Sequence, residues 1–261
     1  MTAAEFAAPG VTRRVAGVVT AAVGLGAFLA LWKAIVILGN YPTFILPSPE
    51  LVVARLITGW TDGTIGRHAG TTLVEVALGF AAGAGTAIVV GYGLARSRLV
   101  ERLVSPYIVA AQATPILALA PLLALWFGPG LTAKVVICAL IVFFPVAIST
   151  MVGIRAVDAR LLELARSLRA TRRQVLVTLE IPAAMPSIFG GLRVGVTLAV
   201  VGAIVGEWAG SERGLGVLVN LARGSLFDIP LLFATLLTIA LLGIALYAVV
   251  VIVERVLLGA R

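Results

Sequence analysis

Few side chains in this chain could do chemistry, and their spacing rules most of it out. There is one histidine, His68, and one cysteine, Cys138. Metal sites built from Cys and His clusters are thereby excluded, as is an intrachain disulfide, and a nucleophilic triad could rest only on His68. His68 stands at the mouth of a long apolar run, where the simpler role is that of an interfacial residue. The two lysines, Lys33 and Lys134, are followed by Ala34 and Val135, and neither follows a glycine. The chain therefore has no phosphate loop of the G-x-x-x-x-G-K-[ST] pattern, in which backbone amides cradle phosphates and the lysine neutralises their charge. We expect no catalytic residue, no metal ligand and no cofactor held by this chain. If ATP drives it, the ATPase is another polypeptide.

The richest pattern lies at 158–186, DARLLELARSLRATRRQVLVTLEIPAAMP. Leu161, Leu164, Ala165 and Leu168 fall at i, i+3, i+4 and i+7, one face of a helix. Arg160, Glu163, Arg166 and Arg169 occupy the other, and Glu163 could stiffen it by a few tenths of a kcal/mol through its i±3 arginines. Thr171 and Gln174 match a capping box, so a second short helix begins there, with Val175, Leu176 and Leu179 on its apolar side. Pro182 and Pro186 should keep that helix from running smoothly onward. Such a helix–turn–helix suits the docking of a soluble partner. Spacing alone leaves open an amphipathic helix resting on lipid headgroups.

The elements around this loop are dictated by composition. Of 261 residues, 61% are hydrophobic and 12% charged, and the mean hydropathy is +1.11. Soluble domains carry about 25% charged residues, so the chain belongs in a lipid bilayer. Six runs are long enough for a helical span of about 20 residues: 15–38, 70–95, 104–126, 131–153, 187–209 and 230–253. No period-two alternation suggests a β-barrel, and the first run is too long and too late for a signal peptide. The expected fold is all-α and polytopic, one membrane domain over 15–255 with tails at 1–14 and 256–261. With six spans, thirteen loop arginines share a side with both termini and the 154–186 loop, against four on the other. By the positive-inside rule that side is cytoplasmic. Topology and anionic lipid account for the net charge of +8, so no nucleic-acid partner is needed.

Pro115 and Pro121 should kink the third span and Pro145 the fourth. Beside them, Gln112, Thr114, Ser149, Arg193 and Glu207 are candidates for a polar path, since ionisable groups within a membrane are functional by default. The pairs Gly79/Gly83, Gly191/Gly195 and Gly202/Gly206 suit close helix packing, including against a second copy. On the outer side, Ser48, Pro49 and Glu50 should start a capped surface helix carrying Leu51, Val52, Leu56 and Ile57. An ion-driven transporter is the rival class, and Glu75 and Glu207 are the carboxylates it could use.

The spacing of Glu163, Ala165, Leu179, Ile181 and Pro182 resembles the EAA loop of permease subunits from binding-protein-dependent ABC importers. PTFILPSP (42–49), PILALAPLLALWFGPG (115–130), FFPV (143–146) and GEWAGSERGLG (206–216) look like the sulfonate, nitrate, taurine and thiamine-precursor branch. The match covers roughly residues 15–255. The resemblance implies a type I importer fold in the bacterial inner membrane, working with a second permease copy or homologue. It also implies an external substrate-binding protein and ATPase subunits that use ATP and magnesium. Leu161, Glu163, Leu164, Ala165, Leu168, Arg169, Ala170 and Pro182 would form the coupling site, and the short helix over 48–57 with the 210–229 loop the outer docking surface. Two positions depart from the pattern: Leu164 replaces a small residue, and Arg169 stands where glycine is usual. Glycine there permits a positive-φ turn that costs arginine about 1 kcal/mol. Either the turn differs or the ATPase surface does.

Overall fold

The computed structural model describes residues 9–259. Residues 1–8 and 260–261 of the expected tails lie outside that range; of the rest, 9–14 belong to the first helix and 256–258 to the last. The helices are α1 (Pro9–Leu38), α2 (Pro49–Thr61), α3 (Thr64–Arg96), α4 (Arg98–Ala113), α5 (Ile116–Phe127) and α6 (Leu131–Arg155). They continue as α7 (Ala159–Ser167), α8 (Arg172–Val175), α9 (Ile181–Trp208), α10 (Leu215–Arg223) and α11 (Ile229–Leu258). A π-helical turn, Leu176–Glu180, joins α8 to α9. Among the described residues there is no strand.

Three helices make the centre, and small residues let them approach. Gly79, Gly83 and Gly91 of α3 lie against Cys138, Ala139 and Ala147 of α6, so these two spans run parallel. Gly191, Gly202 and Gly206 of α9 meet Ser149, Cys138 and Lys134, so α9 runs against both. A Cβ on Gly83 would come within 2.6 Å of the Ala139 carbonyl oxygen. All three expected glycine pairs are thus used inside this chain. The core they enclose is fine-grained: Ala84, Ala87, Val142, Val146, Ala147, Ala199 and Ala203, with the Cys138 thiol donating to the Ala199 carbonyl at 3.4 Å.

Four helices are long and apolar enough to cross a membrane: α3, α6, α11 and the 37-residue run Arg172–Trp208. The expected third span is different. α4 and α5 meet at 101°, because Pro115 has no amide to donate and holds Thr114 extended at φ −75°, ψ 124°. This is a broken helix, where a kink was expected. It still carries the chain across: Glu101 of α4 pairs with Arg155 at the end of α6, whereas α6 begins at the opposite end three residues after α5. Counted as one span, this bent pair brings the total to five. The six-span expectation also counts α1, whose described apolar stretch, Ala22–Leu38, is shorter than the others.

The proline expectation for the coupling loop also needs correction. Pro182 and Pro186 do not interrupt the chain; a helix runs continuously from Arg172 to Trp208. The π turn makes this possible. The Ile181 amide donates to Leu176, five residues back, so the backbone widens just before the proline ring would strike the carbonyl four residues earlier. At the far end, the expected loop at 210–229 contains α10, which packs with α2 and α11 through Val52, Leu215, Leu218, Leu231 and Ala234.

Candidate functional site

The α7–α8 segment is fixed at every terminus. Asp158 caps α7 by accepting from the Arg160 amide at 2.9 Å. Thr171 and Gln174 form the expected capping box, with the Thr171 amide 2.7 Å from Gln174 Oε1. Between them α7 ends in a two-bond motif: the Ala170 amide donates to Ala165 and the Arg169 amide to Arg166, both at 2.9 Å. That motif places its penultimate residue in the left-handed region. Arg169 occupies that place at φ +54°. The turn associated with glycine is therefore kept, with arginine in it.

Leu161, Leu164 and Leu168 are 46, 56 and 73% exposed. Ala165 is buried, Ala170 is half-buried, and Glu163, Arg169 and Pro182 are exposed. Leu162 and Arg166, roughly 150° round the helix from the leucine row, turn towards Tyr92 and Arg96 at the end of α3. The leucines thus face away from the end of that span. The expected pairing of Glu163 with Arg160 or Arg166 is absent; the seven ion pairs among the described residues lie elsewhere.

The candidate path residues do not assemble. Gln112 borders a cavity of about 340 Å³ with Ile116, Ile141, Phe144, Pro145, Ile148 and Leu198. Thr114 sits at the α4–α5 break, its hydroxyl donating to the Ala110 carbonyl at 3.0 Å. Ser149 faces α9, where its carbonyl accepts from the Ser187 hydroxyl at 2.8 Å. Arg193 is bound to Glu254 of α11 through Nε at 2.8 Å and through Nη2. The cavity brings in Gln112 alone.

Glu207 belongs to a buried cluster that spacing did not suggest. Lys134 Nζ lies 2.7 Å from Glu75 and 2.5 Å from Ser211 Oγ. The Thr72 hydroxyl donates to Glu207 at 2.5 Å and accepts from the Leu215 amide at 2.8 Å, while the Gly216 amide donates to Glu207. His68 Nδ1 lies 3.0 Å from the Gly214 amide nitrogen. Gly214, at φ +137°, has no room for a Cβ beside the Glu207 carboxylate. The cluster ties the 210–216 segment onto α3, α6 and α9. A lysine and a glutamate in separate apolar runs were the available signal, because neither is tolerated in a membrane without a partner.

At this same end, Arg55 of α2 binds Asp228 at 2.7 Å, joining the two segments expected to form an outer surface. Pro49 opens α2 as expected, but the Ser48 side chain makes no cap. Val52 is buried, while Leu51 and Ile57 stay exposed. A hydrogen bond from Lys33, 2.5 Å away, holds the Glu50 carboxyl below its usual range.

Comparison with known proteins agrees with this architecture. The profile described as "Binding-protein-dependent transport system inner membrane component" matches residues 83–258. The riboflavin transport system permease protein RibX of Chloroflexus aurantiacus is 44% identical over 229 residues, covering 88% of this chain and 85% of its own. The formylaminopyrimidine transport permease protein ThiX of Halalkalibacterium halodurans is 36% identical, with 84% and 86% covered. The taurine transport system permease protein TauC of Escherichia coli is 32% identical, with 86% and 84% covered. A crystal structure of an amino acid ABC transporter with histidines superposes with a TM-score of 0.59 over 77% of this chain and 95% of that one, at 22% identity. At that identity the likeness speaks for the fold.

Proposed function

The chain belongs to the family of binding-protein-dependent transport system inner membrane components, and from that premise we propose that it forms half of an import channel powered by a separate ATPase. It is a multi-pass permease subunit of an ABC transporter. In the proposed assembly a second permease copy completes the channel. ATPase subunits dock on α7–α8, and a substrate-loaded binding protein settles on α2 and the 210–229 segment. The α7 end and both termini face the bacterial cytoplasm. The chain itself does no covalent chemistry; ATP binding and hydrolysis in the partner bias it between two accesses.

One observation carries the docking assignment: Leu161, Leu164 and Leu168 are exposed, 46, 56 and 73%, on a short helix capped at both ends. A contiguous apolar row held rigid and turned away from its own span has the character of an interface. A rigid helix also passes on a displacement that a loose loop would absorb. The test is affinity purification from native membranes with mass spectrometry of bound proteins. A P-loop ATPase should accompany the wild type and be missing from a folded, inserted Leu168→Asp variant. If neither carries an ATPase, an ion-coupled transporter using Glu75 and Glu207 becomes the better reading.

The passenger is proposed to be a small organic solute of the kinds named for the relatives, a vitamin-like heterocycle or a sulfonate. The cavity at Gln112 favours the former. Its walls are apolar and aromatic, and the intramembrane cations Lys134 and Arg193 are each tied to a carboxylate. No free positive charge among its described lining residues awaits a sulfonate. Cells carrying the complete system should take up labelled riboflavin or a pyrimidine in preference to taurine; the opposite preference would remove this assignment.

A further inference from the structure

The side of α7 turned away from the leucines borders a different kind of site. Between α7, α8, the π turn and the last turn of α3 lies a cavity of about 750 Å³, into which Tyr92, Arg96, Arg166, Arg172, Arg173 and Glu180 converge. Arg96 is engaged: it binds Glu180 Oε1 at 2.9 Å and lies 5.1 Å over the Tyr92 ring. Arg166, Arg172 and Arg173 have no ion-pair partner among the described residues. Glu180 is 4% exposed, and its Oε2 is buried without a hydrogen-bond partner.

Two complementary demands therefore meet in one cavity. Three guanidinium groups lack an anion, and guanidinium pairs readily with phosphate oxygens. A buried carboxylate oxygen lacks a donor, which is costly unless something supplies one. The location restricts what can answer both. Tyr92 and Arg96 end a membrane span, so the cavity lies at headgroup depth, where basic pockets between helices hold anionic lipid headgroups. Leu162 and Leu176 add apolar wall for the glycerol backbone.

We propose that this cavity holds the headgroup of an anionic glycerophospholipid, its phosphate among Arg166, Arg172 and Arg173 and a headgroup hydroxyl donating to Glu180 Oε2. A phosphatidylglycerol headgroup carries both functions, whereas phosphatidylcholine has neither a net negative charge nor a donor. The coupling segment is then seated on the bilayer through one side of α7 while the other side remains free for the ATPase.

The test uses the full chain with whatever subunits co-purify. It is placed in nanodiscs with equal parts of phosphatidylglycerol, phosphatidylethanolamine and phosphatidylcholine, then extracted, and the retained lipid is identified by native mass spectrometry. Phosphatidylglycerol should be enriched about tenfold. Arg172→Gln and Arg173→Gln should each lower that enrichment about fivefold, with the fold intact because these exposed side chains hold nothing in place. Arg98→Gln, an exposed arginine at the same end, should change nothing. Equal retention of all three lipids, or an equal loss in Arg98→Gln, overturns the proposal. Displacement by millimolar inorganic phosphate would make this a site for soluble anions, and lipid excluded whenever the ATPase is present would assign the arginines to that partner; either result also overturns it. Leu168→Asp should retain the lipid unchanged, so this site and the docking assignment stand or fall separately.

Discussion

Arg169 pays a backbone cost that its own side chain does not recover. At φ +54° it holds a left-handed position that a residue with a Cβ adopts at about 1 kcal/mol above glycine. Its guanidinium makes no ion pair among the described residues. Arg169→Gly should accordingly protect the amides of 159–170 roughly fivefold better in hydrogen exchange and leave ATPase assembly unaffected. Slower assembly with unchanged protection would instead mean that the arginine touches the partner. The sequence left the form of this turn open, but the Thr171–Gln174 capping box that follows it was legible, because caps act over three to six residues. The Glu75–Lys134 pair was not, since it joins residues 59 apart, and periodicity says which face of a helix is apolar without saying which helix it faces.

Among the elements, the close approach of α3 and α6 is the most sensitive to change. A Cβ on Gly91 would lie 2.5 Å from the Ala147 carbonyl oxygen, whereas Gly93, two residues on, has open space. Gly91→Ala should lower the thermal unfolding midpoint in detergent, at a cost of about 1–3 kcal/mol. Gly93→Ala should be neutral or slightly stabilising, because alanine is the better helix former. Equal midpoints would show that the two spans can part without cost. The spans α3, α6 and α11 were readable, with ends within six residues, where one apolar run makes one helix. Boundaries failed at 98–127 and 172–186, where prolines act through the geometry available to the neighbouring turn. Pro115 finds no way to satisfy its surroundings and breaks the helix; Pro182 finds a widened turn and does not.

At the scale of the whole molecule, charge sorts the two ends. The arginines of the α4 start, the α6 end and α7–α8 gather at one end, and the buried cluster around Glu207 closes the other. Cys138 is fully buried, so single introduced cysteines can be read against a silent background. A membrane-impermeant maleimide should label Ser225→Cys in intact cells and Ser167→Cys only after the membrane is opened. The reverse pattern would invert the orientation proposed here and turn α7 away from any cytoplasmic ATPase. The all-helical, membrane-spanning architecture was legible from hydropathy, which the bilayer dictates directly. The passenger was not, because the chain lines its cavity with a single amide and generic apolar groups.

The π turn at Leu176–Glu180 also has an angular meaning. Five residues wound with one extra member per loop hold α8 at a particular azimuth about the axis of α9. Were the same residues to tighten to ordinary 3.6-residue winding, everything before them would swing by about 100°, the share of one residue in a turn. Leu161, Leu164 and Leu168 would then point a quarter of a revolution away from their present bearing. The compass heading of the coupling surface relative to the channel wall is thus set by a widened turn that Pro182 keeps from closing.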